Sequence, residues 1–198
     1  MTLLNSGLYT RYASSTKTHK IIFTNANFII KICISNENLV IFAKTTLIWK
    51  KTVTFLRDAC LIFSLTNYVS KFSERETTKK HYFIDNGILH IFLNDDKTSL
   101  LENLCAIYLY QKYGDEQLFF YNKNIEVDFY IPEHHTAIQS CYSMRDIQTF
   151  EREVNALLKL HSFEHLDKAY IITYDEEKTI IKNDITIEIM PIWKWILQ

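Results

Sequence analysis

Apolar positions along the chain switch repeatedly between a period of two and a period near 3.6, and the switches outline an α/β order. Ile21-Ile22-Phe23 and Phe28-Ile29-Ile30 are β-prone, with Asn25 and Asn27 as the turn between them. Otherwise residues 1–50 carry no usable motif and predict a hairpin or an extended arm. From Lys51, Val53, Leu56, Ala59 and Cys60 recur at helical spacing, and Leu61-Ile62-Phe63-Ser64-Leu65 reads as a short buried strand. Asn67 to Lys80 is polar and basic, with Lys71, Arg75, Lys79 and Lys80. His81 to Asp85 returns as a strand, and Asn86-Gly87 is a turn signal.

The second half is more regular. Leu100, Leu101, Leu104, Cys105, Ile107, Tyr108 and Leu109 form one wide apolar face of a helix. Leu118 to Tyr121 is a strand, turned by Asn122-Lys123-Asn124 into Glu126 to Ile131. Pro132 ends that strand, and Thr136 to Tyr142 forms the next. A helix begins near Asp146, with Asp146 or Thr149 as its cap. Ala169 to Thr173 is a buried strand, residues 179–189 are an edge hairpin, and Pro191 to Leu197 closes the chain as a short helix. From Leu100 the order is helix, strand, strand, strand, helix, strand, which predicts a central mixed sheet flanked by helices. Residues 51–80, with their helix, strand and charged excursion, resemble the end of a winged helix, although a solvated hairpin accounts for them as well.

Composition narrows the function classes. The 198 residues are 47% hydrophobic and 23% charged, with a formal net charge of -1. No global positive field attracts nucleic acid, so any such binding needs a local basic patch. Cys33, Cys60, Cys105 and Cys141 form no CxxC pair, which argues against zinc. Free thiols and the lack of a signal-peptide pattern point to the cytoplasm. Cys60 and Cys105 lie among apolar residues, where buried thiols are common. The apolar stretch from Ile21 to Phe42 is interrupted by polar residues, so it does not supply the roughly 20 apolar residues of a membrane span. With Gly7, Gly87 and Gly114 as the glycines, there is no phosphate loop and no Gly-x-Ser-x-Gly elbow. His134-His135 are adjacent and point apart, which argues against joint metal binding. His161 and His165 have helical spacing without a zinc signature and mark a helix end.

One constellation carries chemistry. Glu126-Val127-Asp128-Phe129 followed by Gln139-Ser140-Cys141 resembles the outline of a metal-dependent nuclease core of the PD-(D/E)XK type. In active members of that class a helix carboxylate, a strand Asp and a Glu on the next strand hold a hard divalent cation, usually magnesium. A lysine two residues beyond the Glu faces the same side and stabilises developing charge. Here Glu102 takes the helix position and Asp128 the central one, with Glu126 on the same strand. Gln139 replaces the second carboxylate, and Cys141 replaces the lysine. Glutamine can still ligate through its carbonyl oxygen, whereas a thiol is mostly neutral at pH 7 and soft toward magnesium. Lys123 is a candidate to reach in from the turn. The plainer alternatives are a solvated Glu102, an Asp128 on an exposed strand face and a purely structural Gln139-Ser140-Cys141.

A wider resemblance covers Lys51 to Gln198. Lys80 to Leu89 (KHYFIDNGIL), Leu100 to Leu104 (LLENL), Glu126 to Phe129 (EVDF), Ile138 to Tyr142 (IQSCY), Glu151 to Leu157 (EREVNAL) and Ile189 to Leu197 (IMPIWKWIL) are similar, in order, to segments of a bacterial and archaeal family. That family is the AAA-type ATP-binding proteins with an uncharacterised C-terminal domain of restriction-endonuclease-like fold. The resemblance implies that glutamine and cysteine at positions 139 and 141 are usual, which favours a non-catalytic or altered core. It also implies an N-terminal ATPase and a winged-helix region in longer members. The ATP site is not carried over, because this chain has no phosphate loop.

The resulting expectation is an α/β restriction-endonuclease-like domain at 81–198, a winged-helix remnant at 51–80 and an unassigned arm at 1–50. The expected function is a non-catalytic nuclease-like module that contacts DNA or a protein partner, without a cofactor. The alternatives are a magnesium- or manganese-dependent nuclease with Glu102, Asp128 and Gln139 as ligands, and a truncated, non-functional gene product.

Overall fold

The structure is a computed structural model that describes residues 14–15, 18–25, 28–35, 38–42, 46–71, 79–93 and 97–198. The chain divides into two compact units, residues 1–61 with 87–96, and residues 62–86 with 97–198.

In the first unit, β1 (Ser14–Ser15), β2 (Thr18–Asn25), β3 (Phe28–Ser35) and β4 (Asn38–Phe42) form an antiparallel sheet in chain order. Asn25 pairs with Phe28 at the end of the β2–β3 hairpin, and the other expected turn residue, Asn27, lies outside the described residues. Helix α1 (Thr46–Asp58) holds Val53 and Leu56 of the expected apolar spacing, whereas Ala59 and Cys60 lie past its end, where the helix closes in a Schellman arrangement. Leu61 N–H donates to the Leu56 carbonyl, Cys60 N–H donates to the Arg57 carbonyl, and Cys60 sits at φ 54°. That left-handed position turns Cys60 outward, so it is exposed where its apolar neighbours predict burial. Asn86-Gly87 also departs from expectation. It opens helix α2 (Asn86–Phe92) instead of a hairpin turn, because the Asn86 amide is bonded to the Leu100 carbonyl and to Asn103.

The second unit is an α/β fold around one mixed sheet. Its strands are β5 (Ile62–Asn67), β6 (Lys79–Phe83), β7 (Phe119–Asn122), β8 (Glu126–Ile131), β9 (Thr136–Ser140), β10 (Lys168–Thr173), β11 (Lys178–Lys182) and β12 (Ile185–Pro191). They are ordered β11-β12-β10-β9-β8-β7-β5-β6. Neighbours β7–β8, β8–β9, β5–β6 and β11–β12 are antiparallel, and β9–β10, β10–β12 and β5–β7 are parallel. The strand at 62–67 and the return at 79–83, expected as the end of a winged helix, are hydrogen-bonded into this sheet.

Helices cover both faces. Helix α3 (Lys97–Gln117) lays Leu101, Cys105, Ala106 and Leu109 on one face against Phe120, Phe129, Ile131 and Ile138. Each fully buried leucine there contributes about 2 kcal/mol. Gly114, at φ 70°, breaks the helical path before β7. Helix α4 (Ile147–Glu164) covers the other face with Val154, Leu157, Leu158 and Leu160 against Val127, Tyr130, Ala137 and Ile171. Asp146 caps it as expected, accepting the Thr149 N–H at 2.8 Å. Helix α5 (Ile192–Ile196) returns Trp195 to the α3 side. Among the described residues no helix is long and apolar enough to cross a membrane.

One irregularity positions the site. Phe119 pairs with Tyr130 while Tyr121 pairs with Val127, so two steps on β7 match three on β8. This is a β-bulge, and bulges re-aim side chains. Val127 and Tyr130 belong to the α4 side, whereas Phe129 and Ile131 belong to the α3 side. The strict alternation that β8 shows in sequence therefore slips around Asp128.

Candidate functional site

Asn103 docks α3 onto β6. Its buried side chain accepts from Phe83 N–H at 2.8 Å and donates to the Phe83 carbonyl at 3.1 Å. One amide thus satisfies both backbone groups of a strand residue, and the neighbouring Glu102 is carried to the same strand. There Tyr82 Oη donates to Glu102 Oε1 at 2.8 Å. Lys80 lies two residues before Tyr82 and shares its strand face.

Lys80 Nζ is the centre of the cluster. It lies 2.8 Å from Glu126, 3.0 Å from Asp128 and 3.5 Å from Glu102. Asp128 is bonded through both oxygens: Oδ1 accepts from Lys80, and Oδ2 accepts from Ser140 N–H and Oγ–H, each at 3.0 Å. Charge-assisted bonds of this kind are short and strong. Burial alone would favour neutral Lys80, but the charges of Asp128, Glu102 and Glu126 outweigh it and hold the ammonium above its usual range. Burial, followed by the charge of Asp128, pushes Glu102 up to about 7 against the opposing pull of Lys80 and Tyr82. Burial and Glu102 keep the Tyr82 hydroxyl protonated. The thiol that responds to this cluster is Cys105 on α3, raised first by burial and then by Asp128 and Glu102.

Glu102 and Asp128 therefore meet, and Glu126 joins them. Gln139 and Cys141 do not. Ser140 faces Asp128, so its strand neighbours Gln139 and Cys141 face the α4 side. Gln139 Oε1 accepts the Asp128 backbone N–H at 2.8 Å. Its Nε2 donates to the Glu126 carbonyl at 3.1 Å and to Glu153 Oε2 at 2.9 Å. Its carbonyl oxygen is spent on backbone and does not join the carboxylates as a ligand. Cys141 belongs to the α4-side core and donates to the Ser143 carbonyl, and burial with the charge of Glu153 lifts its thiol to about 11. The ammonium beside Asp128 is that of Lys80, on a strand far away in sequence. Lys123 lies exposed in the β7–β8 turn. His134 packs on Tyr113, and the His135 carbonyl accepts from Asp167 and Lys168, so these two serve separate contacts. His161 accepts the Leu166 N–H and marks the end of α4.

Sequence reasoning missed Lys80, Tyr82, Asn103, Ser140 and Glu153. The usable signal was the pair Lys80 and Tyr82, polar and alternating on one strand, together with the Glu102-Asn103 dipeptide inside an apolar helix face. Among the described residues no group of three His, Cys, Asp or Glu side chains is arranged to hold a metal ion as it stands. The Lys80 ammonium stands among the three carboxylates of the cluster.

The fold and site together define an α/β protein with a mixed eight-stranded sheet and a carboxylate–lysine cluster between a sheet face and a helix. The chain is similar to the uncharacterised protein MJ1544 of Methanocaldococcus jannaschii, at 36% identity over 155 residues. The match covers 72% of this chain and 34% of the archaeal protein, so the chain spans about a third of that relative's length. No family model matches the chain, and no solved structure matches it.

Proposed function

We propose that the eight-stranded unit is a restriction-endonuclease-like module that acts on phosphodiester bonds of nucleic acid with the help of a divalent cation. The observation that carries this reading is that three carboxylates share one ammonium. The cluster keeps negative charge after Lys80 is counted, and Glu102 responds by holding a proton up to about pH 7. A half-buried excess of carboxylate oxygen suits a hard cation such as magnesium. The order α3, β7, β8, β9, α4, β10 supports the same reading.

Glu102, Glu126 and Asp128 would hold the ion, which when bound supplies charge stabilisation at a phosphoryl oxygen and an activated water. Lys80, released from the carboxylates by the ion, would supply positive charge toward the phosphate, a role the neutral Cys141 thiol cannot fill. Ser140 keeps Asp128 oriented, and Tyr82 keeps Glu102 oriented. The resemblance to AAA-type proteins, and a relative of which this chain spans about a third, support a place for the unit within a longer architecture.

A second reading has its own observation. Lys80 already occupies the ligand positions, which fits a permanent internal counterion in a non-catalytic module that binds DNA or protein. Incubation of the purified chain with labelled DNA and Mg2+ or Mn2+ separates the two. Cleavage that is abolished in Asp128→Ala and Lys80→Ala is the expected result. Absence of cleavage on single- and double-stranded DNA and RNA, with no Mn2+ binding by calorimetry, favours the internal counterion.

A further inference from the structure

We infer that Gln139 and Glu153 are a positioning pair for the carboxylate cluster, acting from the opposite face of the sheet. This rests on the proposed reading of the cluster and adds how its geometry is kept. Gln139 is buried, and its side-chain amide grips two backbone groups that flank Val127: the Glu126 carbonyl at 3.1 Å and the Asp128 N–H at 2.8 Å. Those two groups belong to the residues whose carboxylates bond Lys80. The same stretch borders the bulge, where ordinary ladder pairing with β7 is interrupted. The pairing of β8 with β9 runs from Ile131 to Phe129, and at the next position Gln139 bonds the β8 backbone through its side chain instead.

Glu153 fixes which way round that amide sits. A primary amide turned over would place its NH2 against the Asp128 N–H, donor against donor. It would also place its oxygen against the Glu126 carbonyl and the Glu153 carboxylate, acceptor against acceptor. Glu153 Oε2 accepts from Gln139 Nε2 at 2.9 Å, and the carboxylate is held in turn by Arg152 at 2.7 Å. Burial raises the Glu153 carboxyl, and the Arg152 bond opposes that rise. The chain Arg152, Glu153, Gln139, backbone of Glu126 and Asp128 thus runs from an exposed guanidinium on α4 to the cluster. It also accounts for glutamine at this position. A carboxylate at 139 would face both a carboxylate and a carbonyl.

The test uses the full chain and the variants Glu153→Ala, Glu153→Gln and Gln139→Ala. It reads Mn2+ affinity by calorimetry and, in metal-free protein, hydrogen exchange of the Asp128 amide by NMR, with thermal melting as the control for folding. Partners behind metal ligands typically set affinity by about 10–100-fold. Glu153→Ala is expected to weaken Mn2+ binding about tenfold or more in the folded protein and to speed Asp128 exchange. Glu153→Gln, whose oxygen still accepts from Gln139, is expected to restore most of both. A purely structural role would lower the melting temperature and leave the affinity of the folded fraction unchanged, and that result overturns the inference. If Gln139→Ala does not fold, the two Glu153 variants decide. If the wild-type chain binds no Mn2+, the metal reading fails on its own, and unchanged Asp128 exchange in Glu153→Ala then overturns the positioning role.

Discussion

The two faces of the central sheet solve the same problem with different chemistry. On the α3 face, three carboxylates are held by one ammonium, a tyrosine hydroxyl and a serine. On the α4 face, a neutral amide is held by backbone, one carboxylate and, behind it, an arginine. The amide side is matched bond for bond. The carboxylate side carries more negative charge than its cation offsets. No described buried polar side-chain atom lacks a partner, so the two faces differ in net charge and not in satisfied bonds, and that excess charge is what the proposed reading rests on.

The largest effect expected from breaking this contrast comes from Lys80→Met. It leaves Glu102, Glu126 and Asp128 facing one another without a counterion. Removing one member of a buried ion pair costs about 3–5 kcal/mol. The low end, about 3 kcal/mol, applies because the three side chains keep partial solvent access. Urea denaturation at pH 8 measures it, and added Mg2+ should recover part of the loss in the variant. A Lys80→Met protein as stable as wild type at pH 8 would mean that the carboxylates do not depend on the ammonium.

Gln139→Glu attacks the balanced face. The new carboxylate stands where Nε2 now donates to Glu153 and to the Glu126 carbonyl. Lost donors and like-charge repulsion should cost about 1–3 kcal/mol. One of the two carboxyls will hold a proton more tightly than usual, so the loss is small in acid and grows as pH rises through that elevated value. Stability curves at pH 5 and pH 8 check the sign. Equal losses at both would place the cost in packing and not in charge.

How much of this could be read from the sequence depends on how local each signal is. The cap at Asp146, the apolar stripe of α4 and the strands at 119–122, 126–131 and 168–173 follow from spacings within a few residues, and each is found where expected. Glu102 and Asp128 were legible as polar residues in apolar elements. The partner of Asp128 was not, because β5 pairs with both β6 and β7 and so brings Lys80 in across 48 positions. No local period encodes that pairing. Gln139 faces the α4 side, away from the carboxylates, for a related reason. Alternation along β9 puts Ser140 opposite Gln139, and the bulge turns Asp128 toward Ser140; an inserted residue leaves no mark in composition. Asn86-Gly87 has strong turn chemistry, yet its bonds to Leu100 and Asn103 place it at a helix start.

A gentler probe of the charged face is its pH dependence. Glu102 holds its proton up to about 7 in the folded chain, against an ordinary value near 4.5. Between those two values the folded state binds more protons than the unfolded one, so stability falls as pH rises through that window. The slope corresponds to uptake of about one proton and should vanish in Glu102→Gln, which cannot ionise. Denaturant midpoints from pH 4.5 to 8 measure it. A wild-type curve flat between 4.5 and 7 would show that Lys80 and Tyr82 compensate fully for burial and for Asp128.

The smallest effect is expected at Cys141, and it bears directly on which face the thiol occupies. Were Cys141 in the place of a catalytic cation, Cys141→Lys would improve the site and Cys141→Ala would alter Mn2+ binding. Its thiol instead packs on the α4 side, donates to the Ser143 carbonyl and is lifted to about 11 by burial and Glu153. Cys141→Ala should therefore cost about 1 kcal/mol through one lost bond and a few contacts, with Mn2+ affinity unchanged. Cys141→Lys should fold worse than either, since it buries an ammonium behind the sheet, away from the carboxylates. Thiolate-specific reagents at pH 8 should label exposed Cys60 well before Cys141. Fast labelling of Cys141 that Mg2+ suppresses would put the thiol back on the carboxylate face.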